Sequence, residues 1–315
     1  MSISVLRTAD AWYTERDGRA VRIDTGATTT ANLLGDRTAV EKAHATAVTG
    51  GNSVDVRHLD LVSPVTTPCR VVAQMVNYRS HARDSGMDPG KVVPTFFRKS
   101  SGSVCGPNDT VIRPEHVRLL DYEAELGLVL GAALPPGTNV TEENIEQYVA
   151  GLVVTDDVSA RDVQLPQGQF YEAKSYPTFT PVGPRLVLLE PHDVPHIARL
   201  RVRLWVNYVL RQDRTLSDMI VPPAQALTRL ARFQQLEPGD LVLTGTPGGT
   251  ALRSPRPVVR ALGSLLPADR RWRALTKRQV TNPAYLQHGD IVTVGIATDD
   301  GALDLGLQRT PVEHR

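Results

Sequence analysis

Leu120-Asp121-Tyr122-Glu123-Ala124-Glu125-Leu126-Gly127-Leu128-Val129-Leu130 is the stretch on which the fold turns. Its apolar half, from Leu126 on, predicts a buried strand. Side chains two apart in a strand point the same way, so Glu123 and Glu125 share a face. Two carboxylates held together at the start of an apolar strand repel each other and lose hydration. A solvated strand face carrying Asp121, Glu123 and Glu125 is the plain explanation. A hard divalent cation with oxygen ligands is the alternative. Further on, Leu152-Val153-Val154 reads as a second buried strand that delivers Asp156 and Asp157 at its end.

Outward from this pair, strands outnumber helices. Residues 71–76 form an apolar strand running into a short helix over 77–86, stopped by Gly86. Residues 142–150 predict a helix, with Thr141 as N-cap and Gly151 after its end. Residues 199–210 alternate and fold back on themselves, 222–235 are helical, and strands follow at 240–244 and 290–296 before a short tail. Helices do not regularly follow strands, which argues for a β-rich α+β core rather than a doubly wound parallel sheet. Residues 1–68 predict a small N-terminal α/β domain with a helix near 39–48. The proline-bounded connector 63–68 leads to the main domain, 69–315.

Composition excludes several classes of function. A chain of 315 residues, 41% hydrophobic and 22% charged, is an ordinary globular protein. A formal net charge of +1 gives no general pull towards nucleic acid or membrane. Cys69 and Cys105 are too few for a disulfide framework or a thiolate metal site. The first residues lack a signal-peptide layout and no apolar run reaches membrane-spanning length, so a cytoplasmic location is expected.

Several polar groups border the apolar strands. His81 and Asp84, three apart on a helix, can meet on one face, and a carboxylate that orients an imidazole makes a general base. Arg161, Gln164 and Lys174 add two cations and an amide beyond Asp157. Thr244-Gly245-Thr246-Pro247-Gly248-Gly249 lacks the phosphate-loop pattern, but its amides and Thr246 suit a carboxylate. Residues 251–287 carry Arg253, Arg256, Arg260, Arg270, Arg271, Arg273, Lys277 and Arg278 against the single acid Asp269. This basic insertion is either solvated or a flank for an anionic substrate or a subunit contact.

Asn77-Tyr78-Arg79-Ser80-His81, Asp121-Tyr122-Glu123-Ala124-Glu125-Leu126, Asp157-Val158-Ser159-Ala160-Arg161-Asp162-Val163-Gln164, Lys174-Ser175-Tyr176-Pro177-Thr178 and Thr244-Gly245-Thr246-Pro247 stand in one order. Together they closely resemble the fumarylacetoacetate hydrolase family. The resemblance implies a mixed β-sandwich roll with a small N-terminal domain, usually as a homodimer. It also implies Mg2+ (or Mn2+ or Ca2+) on Glu123, Glu125 and Asp157, with Thr178 near the metal. By the same matching His81 would activate water with Asp84 as its acidic partner. Gln164 and Lys174 would steady an oxyanion, and Tyr78, Arg161 and Thr246 would touch a small oxo-acid substrate. The implied reaction is hydrolysis of a C–C bond in a 2,4-dioxo acid (an acylpyruvate or fumarylacetoacetate-like 1,3-diketone). Decarboxylation, hydration or isomerisation of a 2-oxo acid on the same fold is the alternative, and a non-catalytic metal-binding scaffold a further one. Two departures stand out: Asp156 replaces the usual Asn before the ligand aspartate, and the 251–287 stretch is longer than the family's usual link.

Overall fold

The computed structural model describes residues 2–50, 52–254 and 267–315. Two mixed, open sheets form the core, as a β-rich α+β chain requires, and neither closes into a barrel. In the larger, ten-stranded sheet, Leu186–Leu188, Val149–Asp156, Ala124–Leu130, Leu241–Leu243, Val71–Met75 and Thr95–Lys99 lie side by side in that order. Ser4–Arg7 pairs antiparallel with Leu186–Leu188, so the N-terminal strands extend this same sheet. The second sheet orders Val209–Thr215, Arg201–Val206, Ile291–Ala297, Asp304–His314 and Val111–Arg113.

The Ala124–Leu130 strand is buried on both faces, which is why its sequence from Leu126 on reads as an unbroken apolar run. Leu126, Leu128 and Leu130 pack into the core that also holds Leu152, Leu204, Val294 and Leu305. Val129 faces the other way, against Val153, Leu241 and the N-terminal elements carrying Val5, Trp12 and Leu33. Such burial contributes roughly 1.5–3 kcal/mol per large aliphatic side chain, so this strand anchors whatever stands at its open end.

Two expectations are corrected. The helix over 142–150 is a single 3-10 turn, Ile145–Gln147, and Val149 already belongs to the next strand. Thr141 caps nothing; its own N–H donates to Asn144 Oδ1 at 2.8 Å. Pairing of Val149 with Leu130 brings a β-branched residue into the sheet, and that tertiary gain outweighs a short helix. The tail is instead an eleven-residue strand, Asp304–His314. Its inward positions include Gln308 and Thr310, so the alternation of burial is not an alternation of hydrophobicity. Of the basic stretch, residues 255–266 (with Arg256 and Arg260) lie outside the described residues, and Ala268–Gln279 is a helix. Among the described residues no helix is long and apolar enough to cross a membrane.

Candidate metal centre and active site

Antiparallel register builds the site. Ala124 pairs with Asp156 and Glu125 with Thr155, which sets Asp157 beside Glu123. Asp157 N–H donates to the Glu123 carbonyl at 2.8 Å, and Glu123 N–H donates to Asp156 Oδ1 at 2.7 Å. Glu123, Glu125 and Asp157 thereby each offer a carboxylate oxygen within 4.8 Å of the others. All three are buried. The solvated strand face is ruled out.

Cations close around this trio. Lys174 Nζ donates to Glu123 Oε2 and Asp157 Oδ2, at 2.6 Å each. Arg161 donates through Nε to Asp121 Oδ2 at 2.8 Å, through Nη1 to Gln164 Oε1 at 2.8 Å, and through Nη2 to Glu123. Lys99, at the end of the Thr95–Lys99 strand, is fully buried; it pairs with Asp157 and donates to the Phe179 carbonyl at 2.8 Å. The motifs did not single out Lys99. Its only local signal is that it shares the inward face with Phe97, two residues before it.

The charges do not balance. Asp121, Glu123, Glu125, Asp156 and Asp157 are five buried carboxylates against three buried cations, Lys99, Arg161 and Lys174. Burial alone would raise Glu123, but Arg161 and Lys174 outweigh it and hold its pKa low. Glu125 has no such partner. Burial, with the charges of Asp157 and Glu123, pushes it well above the usual range, and among the described residues Gly245 N–H is its one donor, at 2.6 Å. Burial likewise pushes Asp156 up to about 7, and its Oδ2 has no partner. With all five ionised there would be two surplus negative charges, and in an all-oxygen donor set a hard divalent cation is what would let Glu125 and Asp156 ionise. The trio fits that ion.

The other expected residues divide. His81 stands close enough to Glu123, Arg161, Asp121 and Lys174 to feel their charge, and burial lowers the pKa of its imidazole. Its Nδ1 is buried without a partner. Asp84 does not pair with it; Asp84 Oδ2 accepts instead from Gly249 N–H at 3.0 Å. Tyr78 is fully buried, with an unpartnered hydroxyl near Glu125. Thr246 is committed to the frame, donating to the Ala124 carbonyl at 3.0 Å and accepting from Gln212 Nε2 at 2.8 Å. Thr178 adopts φ 71° and its hydroxyl accepts from Ile112 N–H at 2.8 Å.

The 245–252 turn ties these parts together. Gly249 has φ +109°, and a Cβ there would lie 2.1 Å from the Arg211 carbonyl oxygen. Gly249→Ala is therefore expected to cost about 2–5 kcal/mol from overpacking and left-handed backbone combined, read as a fall in Tm. An unchanged Tm would mean that the turn relaxes freely and does not fix Asp84.

Comparison with known proteins agrees with this geometry. Residues 70–313 match the family description "Fumarylacetoacetate (FAA) hydrolase C-terminal". A mitochondrial oxaloacetate tautomerase, fahd2 of Xenopus laevis, is 33% identical over 66% of this chain and 64% of its own length. The match thus spans a little under two thirds of that relative. A crystal structure from Mycobacterium abscessus, named as a probable 2-hydroxyhepta-2,4-diene-1,7-dioate isomerase, is 27% identical with a TM-score of 0.73, covering 100% of this chain and 99% of that one. Maleylpyruvate hydrolase of Sphingobium sp. SYK-6, solved with manganese(II) and pyruvate, shares the fold at 22% identity, with a TM-score of 0.73 and coverage of 100% and 99%. With its five motifs in order and the three acids converged, the chain belongs to the fumarylacetoacetate hydrolase family.

Proposed function

We propose that this chain acts on 2-oxo acids whose neighbouring carbon gives up a proton, and that keto–enol tautomerisation of an oxo dicarboxylic acid such as oxaloacetate suits its site best. The observation that carries this is His81 beside the acidic trio, with Nδ1 buried and unpartnered and Asp84 turned away to Gly249, while burial lowers the imidazole's pKa. Glu123, Glu125 and Asp157 would hold a divalent cation (Mg2+, Mn2+ or Ca2+), which supplies Lewis acidity towards a carbonyl oxygen. Lys174 cannot serve as the base, because Glu123 and Asp157 hold its proton against the opposing effect of burial. His81 can take a proton from carbon and return it to oxygen without a carboxylate behind it. Lys174 and Arg161 set positive charge where negative charge develops on the oxo oxygen. The 33% identity to an oxaloacetate tautomerase supports the same reading.

Hydrolysis of a 2,4-dioxo acid is the second reading. It is favoured by Gln164, whose oxygen is taken by Arg161 and whose amide N–H groups have no partner among the described residues and could serve a tetrahedral oxyanion. There His81 would draw the proton from water. The two separate by substrate: the decay of enol-oxaloacetate absorbance, and the cleavage of acetylpyruvate and fumarylpyruvate, each with and without EDTA. Accelerated enol decay with little diketone cleavage is expected. Diketone cleavage without tautomerisation reverses the order of the two.

His81→Ala is expected to lower turnover by about 10²–10⁴. Asp84→Asn, which keeps an acceptor for Gly249, should stay within a few-fold, measured as kcat on the same enol substrate. A loss in Asp84→Asn as deep as in His81→Ala would restore the His81–Asp84 pair as a working unit.

A further inference from the structure

A second polar feature lies beside the acidic cluster and is not used by it. A cavity of about 350 Å3 is walled by Tyr122, Arg211, the 249–251 turn, Arg253, Gln279 and Asn282. Among the described residues no aspartate or glutamate lines it. Arg211 Nε is buried with no hydrogen-bond partner. Neither Arg211 nor Arg253 has an ion pair to a carboxylate among the described residues, whereas Arg161 beside the acidic trio and Arg201 and Arg203 on the Arg201–Val206 strand do. Both guanidinium groups line the same cavity as Tyr122. Two planar cations facing a polar cavity, one with a desolvated N–H to spare, match the fork geometry of an oxyanion.

The cavity is joined to the candidate centre by one short turn. Gly249 accepts from the Tyr122 hydroxyl at 3.3 Å, while its own N–H is held by Asp84. Ala251 and Leu252 N–H groups donate to Asp121, at 2.8 and 3.1 Å, and Asp121 in turn receives Arg161. A ligand between Arg211 and Arg253 would brace the hairpin Arg201–Val206/Val209–Thr215 against that turn.

We propose that this cavity is an oxyanion-binding site separate from the acidic cluster, taking a small dianion with carboxylate or phosphate groups. It does not depend on which reaction the cluster performs. The test titrates succinate and, separately, inorganic phosphate into the full chain by calorimetry, with Arg253→Gln, Arg211→Gln and Glu125→Gln alongside. Binding at one site is expected, at least tenfold weaker in either arginine variant and unchanged in Glu125→Gln. Tighter succinate identifies a dicarboxylate, tighter phosphate a phosphate, and equal affinities a recognition by charge that both share. Binding of neither probe overturns the proposal, as does an affinity that survives both arginine variants or disappears only in Glu125→Gln. Should Arg211→Gln fail to fold, the exposed Arg253 decides alone.

Discussion

Glu125→Gln is expected to raise the melting temperature of the metal-free protein while removing its activity. Glu125 is the one carboxylate of the trio with no hydrogen-bonded cation, and its single donor, Gly245 N–H, can serve a glutamine oxygen equally well. Glutamine removes the cost of either burying that charge or taking up a proton to avoid it, keeps the hydrogen bond, and should stabilise by roughly 1–3 kcal/mol, a few degrees in Tm. The same change removes a ligand. Loss of partners that only support metal ligands costs about 10–100-fold in affinity or activity, so loss of a ligand itself should exceed that. Calorimetric titration of Mn2+ and melting curves with and without Mg2+ read both effects. A variant that melts lower than the parent and keeps a metal-induced rise in Tm would show that Glu125 is structural.

Lys99→Met should act in the opposite direction. Lys99 is the buried partner of Asp157 Oδ1 and of the Phe179 carbonyl, and methionine keeps its length without its charge. Breaking one side of a buried pair leaves the other charge unpaired, at a cost of about 3–5 kcal/mol. The negative surplus around Glu123, Glu125 and Asp157 also grows by one. Arg98→Met, on the exposed face of the same strand, is the control and should stay within about 0.5 kcal/mol. Equal stability of the two variants in denaturant would mean that Lys99 does not hold Asp157.

The contrast between these two residues marks the limit of what could be read from the chain. Glu125 was legible because its partner on the strand face, Glu123, is two residues away. Lys99 was not, because what makes it important is Asp157, fifty-eight residues further on. The same holds for Asp84. Helical spacing allowed it to meet His81, but a turn from a distant strand supplied Gly249 N–H and took the carboxylate. The segment 142–150 carried helix signals at both ends, yet the vacant edge beside Leu130 drew Val149 into the sheet.

By itself, then, the sequence determined the β-rich class, the shared face of Glu123 and Glu125, and the ordered motifs that point to the family. These depend on side-chain alternation and short spacings, which are properties of the local backbone. The ordered motifs already implied Asp157 beside Glu123 and Glu125; only the tertiary structure decided that Lys99 and Lys174 brace the trio, that Asp84 serves the turn, and that Arg211 and Arg253 face one cavity. Each of those requires two segments far apart in the chain to settle into one register. That register is chosen by burial of apolar area across the whole sheet, which no short stretch of residues contains.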